Sequence, residues 1–485
     1  MRTKYVVRSE VAAIVTAALF AVACTSDRPS PSAPAMLDAN SANATSLAAV
    51  NADRHIIQLK PGASVDAMAA RVISLGGRVE RTHAGMGLVI THGLSVASAS
   101  AVRASSDVLH ITSDRTVQWI PTLAKHHLAA NQARVATSRL PHVDQSGAEF
   151  FSFQWNLPVI LANNAWLVTR EGANTMVCDL DTGVDPTHID LAGKINLAVS
   201  TSFVATEPDI LDRNTHGTYV SALISSNGIG MASVAPETEL CQVKVLDQNG
   251  QGSFGDVISG VIYAADAGTD VINMSLGSVL SPRDSGVIQL AEMFQGAVDY
   301  ALRRGVTIAA AAGNDGVNLA AVDSIALPAE LFGVISVGAT APTDQQHFDQ
   351  IASYSDFGFP GTTVFAPGGD FQPQNGGVVQ DLILSACSSF ATQLLPAIDC
   401  TNHETYIFDA GTSAASPHVA GEAAILKSDV RHARHSRPDI LTPACIINGT
   451  DRILTRGRYP DPLYGFGRID IIGGRDCRHL TTERL

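Results

Sequence analysis

A basic surplus is missing from this chain. Its 485 residues carry 32 Lys+Arg against 46 Asp+Glu, a net charge of −14. Nucleic-acid binding wants a basic face, so the balance argues against that class of partner. Charge of either sign is scarce, at 16%, while 46% of residues are hydrophobic. That composition belongs to a folded globular chain and not to a disordered one. A run long enough to span a bilayer is also absent, because the most apolar stretch, Val11 to Ala23, is too short. No internal repeat is present, and the length leaves room for two or three domains with a large core. The charge that exists is uneven: residues 1–150 hold 14 Lys+Arg against 10 Asp+Glu, which leaves 18 against 36 for the rest. A mildly basic N-terminal segment therefore faces an acidic main body.

Residues 1–23 have the build of an export signal. Arg2, Lys4 and Arg8 form a charged head, the apolar run follows, and Ala21-Val22-Ala23 is a small-x-small cleavage site before Cys24. The arrangement resembles a bacterial lipoprotein signal, which implies Cys24 as the lipid acceptor. Ala21 stands where that signal usually has Leu, and plain secretion would cut at the same bond, so both readings stay open. Residues 24–52, with Pro29-Ser-Pro-Ser-Ala-Pro34, are a solvated linker.

From 53 to 121 the pattern changes. His55 to Lys60 reads as a strand, Val65 to Leu75 as a helix stopped by Gly76-Gly77, Gly87 to Ile90 as a strand, Ala97 to Arg103 as a helix and Val117 to Ile120 as a last strand. This suits a small ferredoxin-like α+β domain. Residues 122–150 lack periodicity and read as an exposed connection. The main domain, 151–475, alternates strands (Thr175–Leu180, Leu240–Leu246, Val271–Ser275, Thr307–Ala311, Val334–Ala339) with helices (Gly217–Ser226, Val257–Ala267, Val287–Arg303, Ser413–Lys427). Repeated βα units imply an α/β fold with a parallel sheet flanked by helices, and ligands at the carboxyl ends of its strands. Gly369 to Phe408 reads as a long loop, and 476–485 as a tail.

Three motifs carry chemistry. Asp409-Ala-Gly-Thr-Ser413-Ala-Ala-Ser-Pro417-His-Val-Ala-Gly421 puts Ser413 in the first turn of a helix, where its backbone N–H is free and the dipole is positive. Asp181-Thr-Gly-Val-Asp185 follows a strand, and His216-Gly-Thr218 opens a helix. A serine hydroxyl needs a base, and the base needs an orienting partner. Together, in this order, the motifs resemble those of the subtilisin-like serine proteases, the subtilases, over 151 to about 472.

The resemblance implies a subtilisin-like fold and a secreted serine endopeptidase, with Ser413 as nucleophile, His216 as base and Asp181 as its orienting carboxylate. It implies the Asn314 amide, in Ala311-Ala-Gly-Asn314, as an oxyanion donor beside the Ser413 N–H. It makes Asn273-Met-Ser275-Leu276-Gly277 and Gly252-Ser253-Phe-Gly255 the two edges that bind peptide by strand addition, with Ala312 and Gly313 also lining the cleft. It further implies that 53–121 is an inhibitory prodomain, that maturation cuts within 122–150, and that the chemistry needs no cofactor. Partners are then protein or peptide substrates and the chain's own prodomain. If Cys24 is lipidated, the anchor leaves with the prosegment. Calcium recurs in the family, but the loop Ser225 to Ile229 offers only Asn227 and backbone carbonyls as hard ligands, so a structural calcium stays open.

Departures from the family pattern are informative. Tyr219-Val-Ser-Ala222 replaces His-Val-Ala-Gly, Asp179 sits at a strand position that is usually aliphatic, and Ala414 replaces the Met after the nucleophile. A buried Asp179 needs a partner. Of seven cysteines, Cys387–Cys400 and Cys445–Cys477 are plausible bridges, and Cys178 and Cys241 lie in neighbouring strands either as a bridge or as buried thiols. Two rival functions are an inactive peptide-binding pseudoprotease and a serine esterase. All four catalytic positions are intact, and the Gly-x-Ser-x-Gly elbow is absent at Ser413, which weighs against each in turn.

Overall fold

Two large sheets of opposite construction dominate the described residues, with two small antiparallel sheets beside them. The computed structural model describes residues 49–120, 128–129, 145–343, 345–371, 379–391, 399–430, 441–455 and 457–482. The export segment and Cys24 lie outside the described residues, and among those that are described no helix is long and apolar enough to cross a membrane.

The first unit runs β1 (Ala49–Leu59), α1 (Val65–Ser74), β2 (Arg78–His83), β3 (Leu88–His92), α2 (Val96–Arg103) and β4 (Val108–Gln118). Its strands lie antiparallel in the order β2-β3-β1-β4, the ferredoxin-like arrangement. Both helices start on serines, Ser64 and Ser95, whose hydroxyls accept the N–H of Ala67 (3.2 Å) and Ser98 (3.0 Å). Ile57, Leu59, Met68, Val72, Val89 and Val102 form a separate small core. The last strand is far longer than Val117 to Ile120, because the exposed Leu109 and the buried Thr112 and Asp114 break the alternation that marks a strand.

After β5 (Leu128–Ala129) comes the main body. Its strands are β6 (Met176–Asp181), β7 (Thr201–Ser202), β8 (Glu239–Lys244), β9 (Gln251–Ser253), β10 (Val271–Met274), β11 (Ser278–Leu280), β12 (Thr307–Ala311), β13 (Ile325–Leu327), β14 (Val334–Thr343), β15 (Gln346–Ile351), β16 (Val364–Pro367), β17 (Ile383–Ala386) and β18 (Tyr406–Asp409). The central sheet has the order β15-β14-β12-β10-β6-β8-β7, with β16 also on β14 and every pair parallel except β14–β15. Its inner strands, such as β6 and β12, are buried on both faces, as a parallel sheet requires, while the edge strands β7 and β15 are partly exposed. On one face lie α3 (His216–Ile224) and α6 (Thr412–Val430), and on the other α4 (Phe254–Asp266) and α5 (Val287–Leu302). Two further helices, α7 (Leu441–Gly449) and α8 (Ile471–Thr482), close the C-terminal end.

Several boundaries differ from the sequence reading. Gln145 already belongs to the body, donating to Ser226 O (2.9 Å) and accepting from Ser233 N (2.8 Å). Residues 476–482 are no tail, since α8 runs through them and Cys477 is bridged to Cys445. Within Gly369–Phe408 lies β17, paired antiparallel with β18. Cys387–Cys400 is also bridged, and Cys178–Cys241 is a disulfide between facing residues of β6 and β8.

Candidate active site

Asp181 ends β6 and His216 opens α3, so the strand end and helix start bring the two side chains together. His216 Nδ1–H donates to Asp181 Oδ1 (2.8 Å) and Oδ2 (2.9 Å). That bond fixes the tautomer and leaves Nε2 as the acceptor, which is buried and has no partner. Burial works to lower the His216 pKa, but Asp181, then Asp409 and Asp179, outweigh it and hold the imidazole above its ordinary value.

The motif residues around the pair explain themselves. Gly217 packs on Gly183 so closely that a Cβ would stand 2.1 Å from the Gly183 carbonyl oxygen. Thr182 Oγ1 accepts the Gly217 N–H (3.0 Å) and donates to Asp212 Oδ1 (2.9 Å). Asp212 also takes the N–H groups of Asn214 (3.0 Å), Thr215 (2.9 Å) and Thr218 (2.8 Å), so one buried carboxylate gathers the start of α3. Thr215, just before His216, holds a positive φ of 97°, and its hydroxyl is pinned by Ser388 N (2.8 Å) beside the Cys387–Cys400 bridge.

Ser413 lies in the first turn of α6 and is partly exposed. Its hydroxyl donates to Ser275 O (3.1 Å), so the Ser413–His216 bond is not made in this conformation. Four residues on, Pro417 supplies no N–H, and the Ser413 carbonyl left over is taken by Ser275 Oγ (2.8 Å). Asn314, past the end of β12, accepts from Thr412 N (2.9 Å) and Thr412 Oγ1 (2.8 Å) through its Oδ1. That turns Nδ2 the other way. A point where a Gly411 Cβ would sit is 3.9 Å from Asn314 Nδ2 and 3.6 Å from Ser413 N, so both donors border one space. The other histidine of the serine motif is no base: His418 is wholly enclosed, bonded to Ala414 O (2.7 Å) and Asn156 Nδ2 (2.8 Å), and burial drives it down to about 4.

Asp179 has found partners. Its oxygens accept from Ser221 Oγ and Asn273 Nδ2, each at 2.9 Å. Burial and the neighbouring Asp181 raise its pKa well above the carboxylate range. Ser221 replaces the family's Ala, so two departures from the pattern meet as one hydrogen-bonded pair. Tyr219 likewise anchors its hydroxyl on Ile383 O (2.9 Å).

The two expected peptide-binding edges lie on either side of the β4 end. Gly252 and Ser253 of β9 pair antiparallel with Val117 and Thr116. Beyond β4, Trp119 donates its N–H to Gly250 O (3.0 Å), and its carbonyl accepts from Gly277 N (3.0 Å). The Trp119 ring is buried at 1% exposure, edge-on to Phe254 at 4.9 Å, with Nε1–H on Gly252 O (2.9 Å). Leu276 is buried, Ser275 is engaged with Ser413, and Ala312 N bonds Val337 O (2.9 Å). Gly313 lies beneath Thr412. Sequence reasoning missed Trp119, Asp212 and Thr412, of which only Thr412 lay in a quoted motif.

The loop considered for calcium does not fit that ion. Asn227 donates its amide to Ile189 O (2.9 Å) and Ala192 O (3.0 Å). Asp190 there is saturated by the N–H groups of Ile229 (2.7 Å), Gly230 and Met231 (3.0 Å each) and by the Tyr406 hydroxyl (2.6 Å). Among the described residues no group of three His, Cys, Asp or Glu side chains is placed to hold a metal.

Comparison with known proteins agrees with this geometry. Residues 172–467 match the subtilase family model. The thermophilic serine proteinase of Bacillus sp. (strain AK1) is 35% identical over 297 residues, 61% of this chain and 62% of that protein's own length. Thermitase of Thermoactinomyces vulgaris is 33% identical over 313 residues, 64% of this chain and 94% of thermitase. The crystal structure of the epidermin leader peptide processing serine protease (EpiP) from Staphylococcus aureus has the same fold, with a TM-score of 0.67 at 24% identity over 87% of this chain and 97% of that one. On the family match, the relatives and the Asp181–His216 pair facing the Ser413 helix, this chain belongs to the subtilases and is a serine endopeptidase.

Proposed function

We propose that the protein is an exported endopeptidase made as a self-processing proenzyme, with the 49–120 unit as its inhibitor. The observation that carries this is the course of residues 116–120. They add as a strand to β9 and bond Gly277 across from it, the manner in which a peptide substrate would lie. The chain then reappears as β5, paired with Phe408 and Ile407 of β18, a few residues before Ser413. The cut therefore falls between Ile120 and Leu128, in residues outside those described.

In the reaction the Ser413 hydroxyl turns from Ser275 O toward His216 Nε2, which takes its proton as Oγ bonds to the scissile carbonyl carbon. Asp181 stabilises the imidazolium, and Asn314 Nδ2 and the Ser413 N–H hold the oxyanion. Collapse breaks the C–N bond, and His216 gives its proton to the leaving amine. Water then attacks the acyl-enzyme with His216 again as base, releasing the acid and restoring Ser413. Main-chain pairing on both edges favours broad side-chain tolerance. Residues 1–23 direct export, and a lipid on Cys24 would tether the proform alone.

Intact mass of the full-length protein beside Ser413→Ala tests this. Loss of an N-terminal segment ending between residues 120 and 128 in the wild type, with the variant uncut, is expected. Both remaining full length, with no labelling of Ser413 by a fluorophosphonate, would leave an inert peptide-binding protein.

A further inference from the structure

The loop that presents Asn314 rests on a carboxyl group that the mechanism above leaves idle. Asp356, between β15 and β16, is fully enclosed. Its Oδ1 accepts the N–H groups of Asp315 (3.1 Å) and Val317 (2.8 Å), and its own N–H donates to Gly313 O (2.9 Å). Three bonds thus tie Asp356 to the stretch from Gly313 to Val317, which holds Asn314. Its other oxygen, Oδ2, has no hydrogen-bond partner. It presses on Gly313, where a Cβ would stand 2.1 Å away and where φ is +126°. Gly313 is therefore glycine partly because Asp356 occupies the side-chain space.

A buried oxygen with no donor is tolerable while the group is neutral and costly once it is charged. The charged groups bearing on Asp356 are themselves acidic: Asp315 on the tied loop, and Glu330 beyond β13, whose Oε2 takes the Ala326 N–H (2.7 Å). Burial, opposed by the Val317 N–H and reinforced by those two carboxyls, pushes Asp356 up to about 8.

We propose that Asp356 is a positioning residue for the oxyanion loop, and that turnover is fast only while its carboxyl keeps its proton. The inference rests on Asn314 being an oxyanion donor. An anion at Oδ2 would lie beneath the residue preceding Asn314. It would oppose the negative charge developing on the substrate oxygen and would pull at the loop that aims the amide. Both effects act on the transition state and not on substrate binding, so they lower kcat and leave KM.

The test is steady-state hydrolysis of a peptide substrate by the matured enzyme and its Asp356→Asn variant across the alkaline range. In the wild type kcat is expected to fall about tenfold between about pH 7 and 9.5 along one ionisation, at constant KM. In D356N the ratio of kcat at the two pH values is expected to come close to one, which a purely structural role would not produce. A flat wild-type profile, or an unchanged falling limb in D356N, overturns the inference. Should D356N not fold, the wild-type profile still decides, with Asn314→Ala as second variant: its alkaline fall is expected to be smaller, and a full-sized fall overturns the proposal. Turnover with a flat profile sinks this inference alone. No turnover at any pH sinks the proposed reaction with it.

Discussion

Trp119 is the anchor by which the N-terminal unit holds the cleft, and removing it should show how that grip is built. In the free chain end the indole would be in water; here it is 1% exposed, edge-on to Phe254 and bonded to Gly252 O. A tryptophan side chain buries about 150–250 Å², which at about 25 cal/mol per Å² gives an upper figure of roughly 4–6 kcal/mol. Trp→Ala changes in packed sites cost about 3–5 kcal/mol. Trp119→Ala is therefore expected to raise the dissociation constant of the cut N-terminal unit by at least about 100-fold. Trp119→Phe keeps most of the ring contact but leaves Gly252 O unpaired, a loss of about 1–2 kcal/mol and hence roughly tenfold. The assay is the activity of the self-cut complex over a dilution series, which reads that constant directly. If the alanine variant stays within about threefold of the wild type, the ring is not the anchor. If phenylalanine is as damaging as alanine, the hydrogen bond and not the packing holds it.

Asn314→Ala should cut kcat by about 10²–10³ with little change in KM, the size measured for the equivalent donor in subtilisin, a member of the same family; a change below about threefold would exclude Asn314 from the oxyanion site. Asp409 helps raise the His216 pKa. The base works only when neutral, so activity falls as pH drops through that raised value. Asp409→Asn should move the acid limb of kcat/KM to lower pH, and a limb that stays put or moves up would contradict the assignment. Ala414, 1% exposed beside the nucleophile, has no sulfur to oxidise, so peroxide should inactivate the enzyme only slowly. Rapid loss with modification next to Ser413 would count against this.

Much of the site was legible because its chemistry is local. Asp181-Thr-Gly, His216-Gly-Thr and Gly-Thr-Ser413 each sit where a strand ends or a helix begins, and such ends are marked by short motifs. The alternation of apolar strands and amphipathic helices gave the sheet. What was not legible depends on residues far apart. Asp179 reads as a misplaced charge until the fold brings Ser221 and Asn273 to it. Asp212 gathers the α3 start from a loop without a signature. β4 was cut short because Leu109 is exposed and its charged residues, Asp114 among them, face the other unit and not solvent. Asp114 is buried against the N-terminus of α4, where it accepts the Gly255 N–H (3.1 Å) and meets Arg54 (2.6 Å).

The Cys178–Cys241 bridge joins residues 63 apart in sequence. The closed ring contains both Asp181 and His216, together with the partly exposed segment around Thr206 to Arg213. A protease at high concentration is exposed to its own kind. A single nick in that segment would put Asp181 and His216 on different pieces, and the bridge would still join those pieces through β6 and β8. The bridge thus keeps the two pieces left by one cut in this region a single covalent body.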